Sequence, residues 1–120
     1  MVKQCDSLAA LKEELNAAGD KLVVVDFFAT WCPPCKMIAP KLEEMSQSMA
    51  NVVFLKVDVD QNDEASQHYG IEAMPTFLYF KSGKKVDTLT GANESKLKAL
   101  VDKHSNSLGD KSSTKCCILM

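Results

Sequence analysis

The residues best suited to covalent chemistry are cysteines, and two of the five stand three apart in "ATWCPPCK", residues 29–36. An apolar run, "LVVVDFFA", leads directly into this stretch, so the pair falls where a buried strand gives way to a helix. A helix N-terminus carries partial positive charge, which lowers the pKa of the first thiol and supplies a thiolate near neutral pH. Cys32 is therefore the expected nucleophile, held accessible at the helix mouth. Cys35, one turn deeper, is placed to attack the resulting mixed disulfide and release a partner as reduced dithiol. Two plainer readings of such a pair are half of a zinc site and a pair buried for packing. Zinc needs further Cys or His ligands, and His68 and His104 stand apart from any second CxxC, so no metal is expected.

Two neighbouring features bear on those thiols. Asp26 interrupts the apolar run, and desolvation there raises a carboxyl pKa until it can hold a proton near neutrality. Pro34 suits the first helical turn, where its φ is already helical and its missing N–H would have had no partner. Pro33 removes a second backbone donor that would otherwise approach the Cys32 sulfur. That loss is expected to raise the Cys32 pKa and make the dithiol a stronger reductant. Pro33 and Pro34 are thus the candidate tuning residues.

The elements that hold these groups follow from periodicity. Val2–Cys5 reads as a short strand, and Leu8, Leu11, Leu15 and Ala18 recur at helical spacing before a Gly19 stop. Residues 22–29 and "NVVFLKVDV", residues 51–59, are apolar on both alternating faces, the pattern of parallel strands covered on two sides. Between them lies a helix over 34–49 with Pro40 inside it as an expected kink. A short helix over 63–69 follows, and strands 76–80 and 85–89 flank "KSGK" as a hairpin. Asn93 caps a last helix built on Leu97, Leu100 and Val101 that fails near His104. The outcome is a three-layer α/β/α domain with a central mixed five-stranded sheet and four helices.

Bulk properties exclude other classes. A chain of 120 residues supports one domain, here 1–105, and the polar stretch 105–115 cannot bury a core. The net charge is −2 and all fourteen basic residues are lysines, so no arginine fork is available for phosphate or base recognition, and no nucleic-acid partner is expected. The first residues hold no apolar signal-peptide core and no window approaches eighteen apolar residues, which points to the cytosol. An odd cysteine count without framework spacing fits a reducing compartment, and Cys5 reads as a first-strand residue.

"WCPPCK" after "VVVDFFAT", followed in order by "FLKVDVD", "MPTF" and "GAN", resembles the thioredoxin family along about residues 1–105. The chain departs from the usual motif in having Pro33 where the family has Gly. The resemblance implies the thioredoxin fold and a protein-disulfide reductase with no bound cofactor, its Cys32–Cys35 disulfide re-reduced by NADPH through thioredoxin reductase. It implies partners such as peroxiredoxins, methionine sulfoxide reductases and ribonucleotide reductase. It makes Asp26 the general acid/base toward Cys35, with Lys56 tuning it. Composition alone would make Trp31 a core aromatic; the resemblance sets it over the active site, against partners. It makes Pro75 a cis-proline facing the dithiol, with Met74 and Thr76 forming an edge for an extended peptide and Gly91 and Ala92 completing an apolar rim. Some animal relatives carry a cysteine where this chain has Ala73, so a monomer is expected. The alternative function is a non-enzymatic module that binds a partner only in one redox state.

The chain closes on "KCCILM". Cys117-Ile118-Leu119-Met120 fits the C-a-a-X prenylation pattern, with a terminal Met favouring farnesyl. A single prenyl chain anchors weakly, and Cys116 is a candidate for palmitoylation as the second signal. Lys103, Lys111 and Lys115 are too sparse by themselves for a polybasic patch. The expected reading is a flexible tail over 106–120 that holds the protein on a cytosolic membrane face.

Overall fold

The structure, a computed structural model, describes residues 2–105. Nine elements follow one another: β1 (Lys3–Gln4), α1 (Leu8–Ala17), β2 (Leu22–Phe28), α2 (Pro33–Ser48), β3 (Val52–Asp58), α3 (Asp63–His68), β4 (Thr76–Lys81), β5 (Lys84–Thr90) and α4 (Glu94–Ser105). Their order is the expected one, with boundaries differing by a residue or two. β1 is the shortest, because only Lys3 and Gln4 pair with β3; Val2 and Cys5 flank it and are buried.

Helix starts are built from local side chains. Ser7 accepts from the Ala10 N–H at 3.0 Å, Asn62 from Ala65 at 3.2 Å and Asn93 from Lys96 at 3.0 Å, each satisfying an orphan donor of the first turn. α1 ends at Ala17, and Gly19 just beyond adopts φ +61°, a conformation costly for a residue with a Cβ. α2 runs on through Pro40 to Ser48, so the proline does not end it.

The five-stranded sheet has the order β1-β3-β2-β4-β5, parallel across β1, β3 and β2 and antiparallel from β2 through β5. β2 lies at its centre, and its alternation splits the core. Val23, Val25 and Phe27 pack with Leu11, Leu15 and Ala65 beneath α1 and α3. Leu22 and Val24 pack with Ile38, Leu42, Leu97 and Val101 beneath α2 and α4. By the same alternation Asp26 faces α2. Because β2 and β3 are parallel and end together, the loops that follow them meet at one end of the sheet, where α/β folds place their sites.

Candidate active site

Cys32 and Cys35 are joined in a disulfide at the start of α2, with their Cα atoms 5.3 Å apart. Cys32 is the helix N-cap, and its Sγ accepts from the Cys35 N–H at 3.2 Å. The two residues between them are prolines, so the Cys35 amide is the first backbone donor that follows the sulfur. The expected open exposure of Cys32 is corrected here: only 3% of the residue is accessible, as for Cys35. Its sulfur lies 3.6 Å from the carbonyl of Met74, in the loop that covers it.

That carbonyl belongs to a cis peptide bond between Met74 and Pro75. The loop carrying it is held from both sides. Thr76 Oγ1 donates to the Ala73 carbonyl at 2.6 Å, and the Gly91 N–H donates to the Pro75 carbonyl at 2.8 Å. Thr76 and Pro75 are thus buried supports for the loop, while Met74 is half-buried and Ala92 exposed. Gly91 has φ +102°, which a side chain would strain, so a glycine is required where β5 turns beside the cis bond.

Apolar side chains surround this mouth on the outside. Trp31 is 63% exposed and Met37 77% exposed, the two largest apolar groups left open among the described residues. Trp31 is not loose: its Nε1–H donates to Asp60 Oδ2 at 2.9 Å, and the Asp60 N–H donates to Asp58 Oδ1 at 3.0 Å. Sequence reasoning did not single out Asp60 or Asp58. The available signal was their position at the C-terminal end of a parallel strand.

Behind the disulfide, Asp26 is 3% exposed and its Oδ1 finds no hydrogen-bond partner. Burial raises its pKa to about 7, opposed in part by the charge of Lys56, which stands directly across in register on β3. Lys56 Nζ also lies 5.9 Å from the centre of the Phe28 ring, a cation–π distance. A cavity of about 230 Å³ lined by Asp26, Phe28, Cys35, Lys36 and Lys56 among others leads from the surface to the carboxyl and the second sulfur. Asp26 therefore has what a proton exchanger needs, a pKa near neutrality and access.

The remaining expected positions divide. Cys5 is buried and desolvation pushes its thiol up to about 11, far from a reactive thiolate. His68 is exposed on α3. His104 is not a bystander: its Nε2 pairs with Asp87 Oδ2 at 2.9 Å. Among the described residues, no three His, Cys, Asp or Glu side chains gather as a metal site. Cys116 and Cys117 lie outside the described residues.

Comparison with known proteins agrees with this geometry. The family model described as Thioredoxin matches residues 3–103. The chain is 54% identical to the thioredoxin of Equus caballus over 101 residues, 84% of this chain and 96% of that protein. It is 52% identical to the Homo sapiens thioredoxin over 102 residues, covering 85% and 97%. Among solved structures it is similar to the Fasciola hepatica thioredoxin, with a TM-score of 0.85 and 47% identity over 86% of this chain and 99% of that one. It also matches the reduced Schistosoma mansoni thioredoxin pre-protein, with a TM-score of 0.82 and 43% identity over 86% and 97%.

Proposed function

The chain belongs to the thioredoxin family, thiol-disulfide oxidoreductases that carry no bound cofactor and work through a redox-active cysteine pair, and from that premise we propose how its residues divide the exchange. The family implies protein disulfides as substrates and thioredoxin reductase as the source of electrons.

In the dithiol form the Cys32 thiolate attacks one sulfur of a substrate disulfide; the other substrate sulfur leaves and takes up a proton. Substrate and Cys32 are then joined. Asp26, ionised for part of the time near pH 7, accepts the Cys35 proton through the cavity they share. The Cys35 thiolate attacks Cys32 Sγ, the substrate departs as a dithiol, and the Cys32–Cys35 disulfide remains. Two electrons from NADPH, passed by thioredoxin reductase, restore the dithiol. Lys56 holds the Asp26 pKa down from where burial alone would set it.

Substrate recognition is assigned to Trp31, Met74, Pro75, Gly91 and Ala92, an apolar rim with little side-chain demand. Thr76 serves that rim from below. Asp60 serves Trp31 by holding its indole. Because Cys32 is covered, the attacking geometry requires the substrate sulfur to arrive along the rim rather than from directly outside. Peroxiredoxins, methionine sulfoxide reductases and ribonucleotide reductase are the proposed physiological substrates.

The observation that carries this reading is the disulfide at the start of α2 with an unpartnered buried carboxyl behind it. The test is reduction of insulin disulfides with NADPH and thioredoxin reductase. Wild type is expected to turn over, Cys32→Ser to lose activity entirely, and Cys35→Ser to accumulate the mixed disulfide visible by mass. A chain that binds partners yet reduces nothing is instead a redox-dependent binding module.

Residues 106–120 are read as a tail separate from the domain at 1–105, with Cys117 prenylated and Cys116 available for a second acyl chain, which would hold the protein at a cytosolic membrane face. Intact mass of the protein from its own cells tests this. Loss of Ile118–Met120 with an added isoprenoid supports it, and an unmodified C-terminus rejects it.

A further inference from the structure

The lysines around the tail exit were too sparse along the sequence to form a basic patch, but folding gathers others beside them. The loop before β2 carries Asp20 and Lys21; the β4–β5 turn carries Lys81 and Lys84; α4 ends with Lys103, His104 and Ser105. Cross-connections bring the three segments together. Ser82 Oγ donates to Asp20 at 2.8 Å, and Lys81 Nζ donates to the His104 carbonyl at 2.8 Å, with Lys84 opposite Lys81 in the ladder. Lys21, Lys84 and Lys103 are exposed, and none of the three is in a salt bridge among the described residues. Asp20 and Asp102 lie among them, but Asp102 is paired with Lys98 at 3.4 Å and the Asp87 carboxylate with His104.

The other end of the sheet is predominantly acidic. Asp60, Asp63, Glu64, Glu72 and Glu94 are exposed around the loops that follow β3, precede β4 and begin α4, against the exposed Lys36 and Lys96 of the same end. The two ends are separated by the seven residues of β2, about 20 Å. The net charge of −2 thus conceals a lengthwise imbalance of charge.

We propose that the Lys21–Lys84–Lys103 end is a docking surface for anionic lipid headgroups, orienting a tethered molecule with its dithiol away from the membrane. The proposal rests on the reading of Cys117 as a lipid anchor, because that anchor leaves the domain at Ser105, in the middle of the basic end. Each of the exposed Lys21, Lys84 and Lys103 brought to an anionic surface is worth about fivefold in partitioning. The basic end supplies the second signal that one prenyl chain needs. The acidic end is repelled by the same headgroups, so attraction and repulsion favour one orientation.

The full-length chain, without a lipid, is first sedimented with phosphatidylcholine vesicles and with vesicles also containing phosphatidylserine, at low salt. Wild type is expected to bind the anionic vesicles at least tenfold more tightly, and Lys21→Gln/Lys84→Gln/Lys103→Gln to lose most of that preference. An undiminished preference in the triple variant overturns the proposal. The oxidised chain is next coupled through its tail cysteines to a maleimide-bearing lipid, which makes the readout independent of whether any cell prenylates Cys117. Amine acetylation read by mass spectrometry is expected to fall severalfold at Lys21, Lys84 and Lys103 on anionic relative to neutral vesicles, and to stay unchanged at Lys36. Trp31, the sole tryptophan, reports the opposite end: quenching of its emission by brominated acyl chains, or equal acetylation on both vesicles, overturns the orientation. Failure of native prenylation with these outcomes intact would reject the anchor and leave the lipid surface standing.

Discussion

Two aspartates lie on the α2/α4 side of the sheet and meet opposite fates. Asp26, at the dithiol end, is buried with an unpartnered oxygen, and desolvation raises its pKa to about 7. Asp87, on β5, accepts from His104 and from the Thr88 N–H, and those bonds lower its pKa. The same side chain is a proton exchanger in one place and a fastener in the other. The fold decides by granting or withholding a partner, because a carboxylate without donors is costly to ionise in a dry setting and one with donors is not. The fastener closes the end of α4 over Tyr79, whose ring is fully buried and whose hydroxyl donates to the Leu97 carbonyl at 3.4 Å.

The largest way to break this comparison is to remove the charge that Asp26 carries. Its folded pKa lies above the unfolded one, so the native state binds more protons between pH 4 and 7 and stability falls as pH rises through that window. Asp26→Asn is expected to stabilise by up to about 4 kcal/mol above pH 7 and by little below pH 4. The same change should slow turnover on the order of 100-fold, the usual weight of a general acid/base. Urea unfolding across pH and the insulin assay read the two effects. A variant that gains no stability at high pH would show that Asp26 is solvated after all. Lys56→Met sharpens the point in the other direction: with the opposing cation gone, the Asp26 pKa rises further, and the acid limb of the pH–rate profile moves up with it.

Cutting the fastener costs less and has the reverse pH sign. Asp87 has a folded pKa below its unfolded one, so its stability is present above about pH 4 and is lost as pH falls through the native value. Asp87→Asn is expected to cost about 1 kcal/mol at pH 7, because the pair is partly exposed, and progressively less in acid. Turnover should be unchanged. Loss of turnover in Asp87→Asn would mean that the two ends communicate.

The sequence made one of these aspartates visible and hid the other, for a physical reason. Asp26 stands out because it breaks an apolar strand, and the break is local. Strand and helix periodicity, equally local, ordered all nine elements. Asp87 sits in a strand of mixed polarity, and its partner is seventeen positions away. The Trp31–Asp60 bond spans 29 positions and the Lys81–His104 contact 23, so neither leaves a periodic trace. Burial of Cys32 was missed on the same ground, since its cover comes from the Met74–Pro75 loop 42 residues on.

The smallest expected effect applies the partner rule to sulfur. Cys32 Sγ has one nearby helix-start donor, the Cys35 N–H, because Pro33 and Pro34 contribute none. Pro33→Gly returns a donor to the position beside the sulfur, which should stabilise the thiolate and hence the reduced form. The Cys32 pKa is then expected to fall and the reduction potential to rise by on the order of 20 mV, about what one added hydrogen bond is worth. Glycine also frees the unfolded chain, costing about 0.4–1 kcal/mol of stability in either redox state. The two consequences are separable, because only the donor acts differently on dithiol and disulfide. Thiolate absorbance titration and equilibration against glutathione read the first, and unfolding of the oxidised protein reads the second. A Pro33→Gly chain with lowered stability but an unmoved potential and pKa would mean that the amide at this position does not reach the sulfur, and that withheld donors govern the carboxyl behind the dithiol but not the dithiol itself.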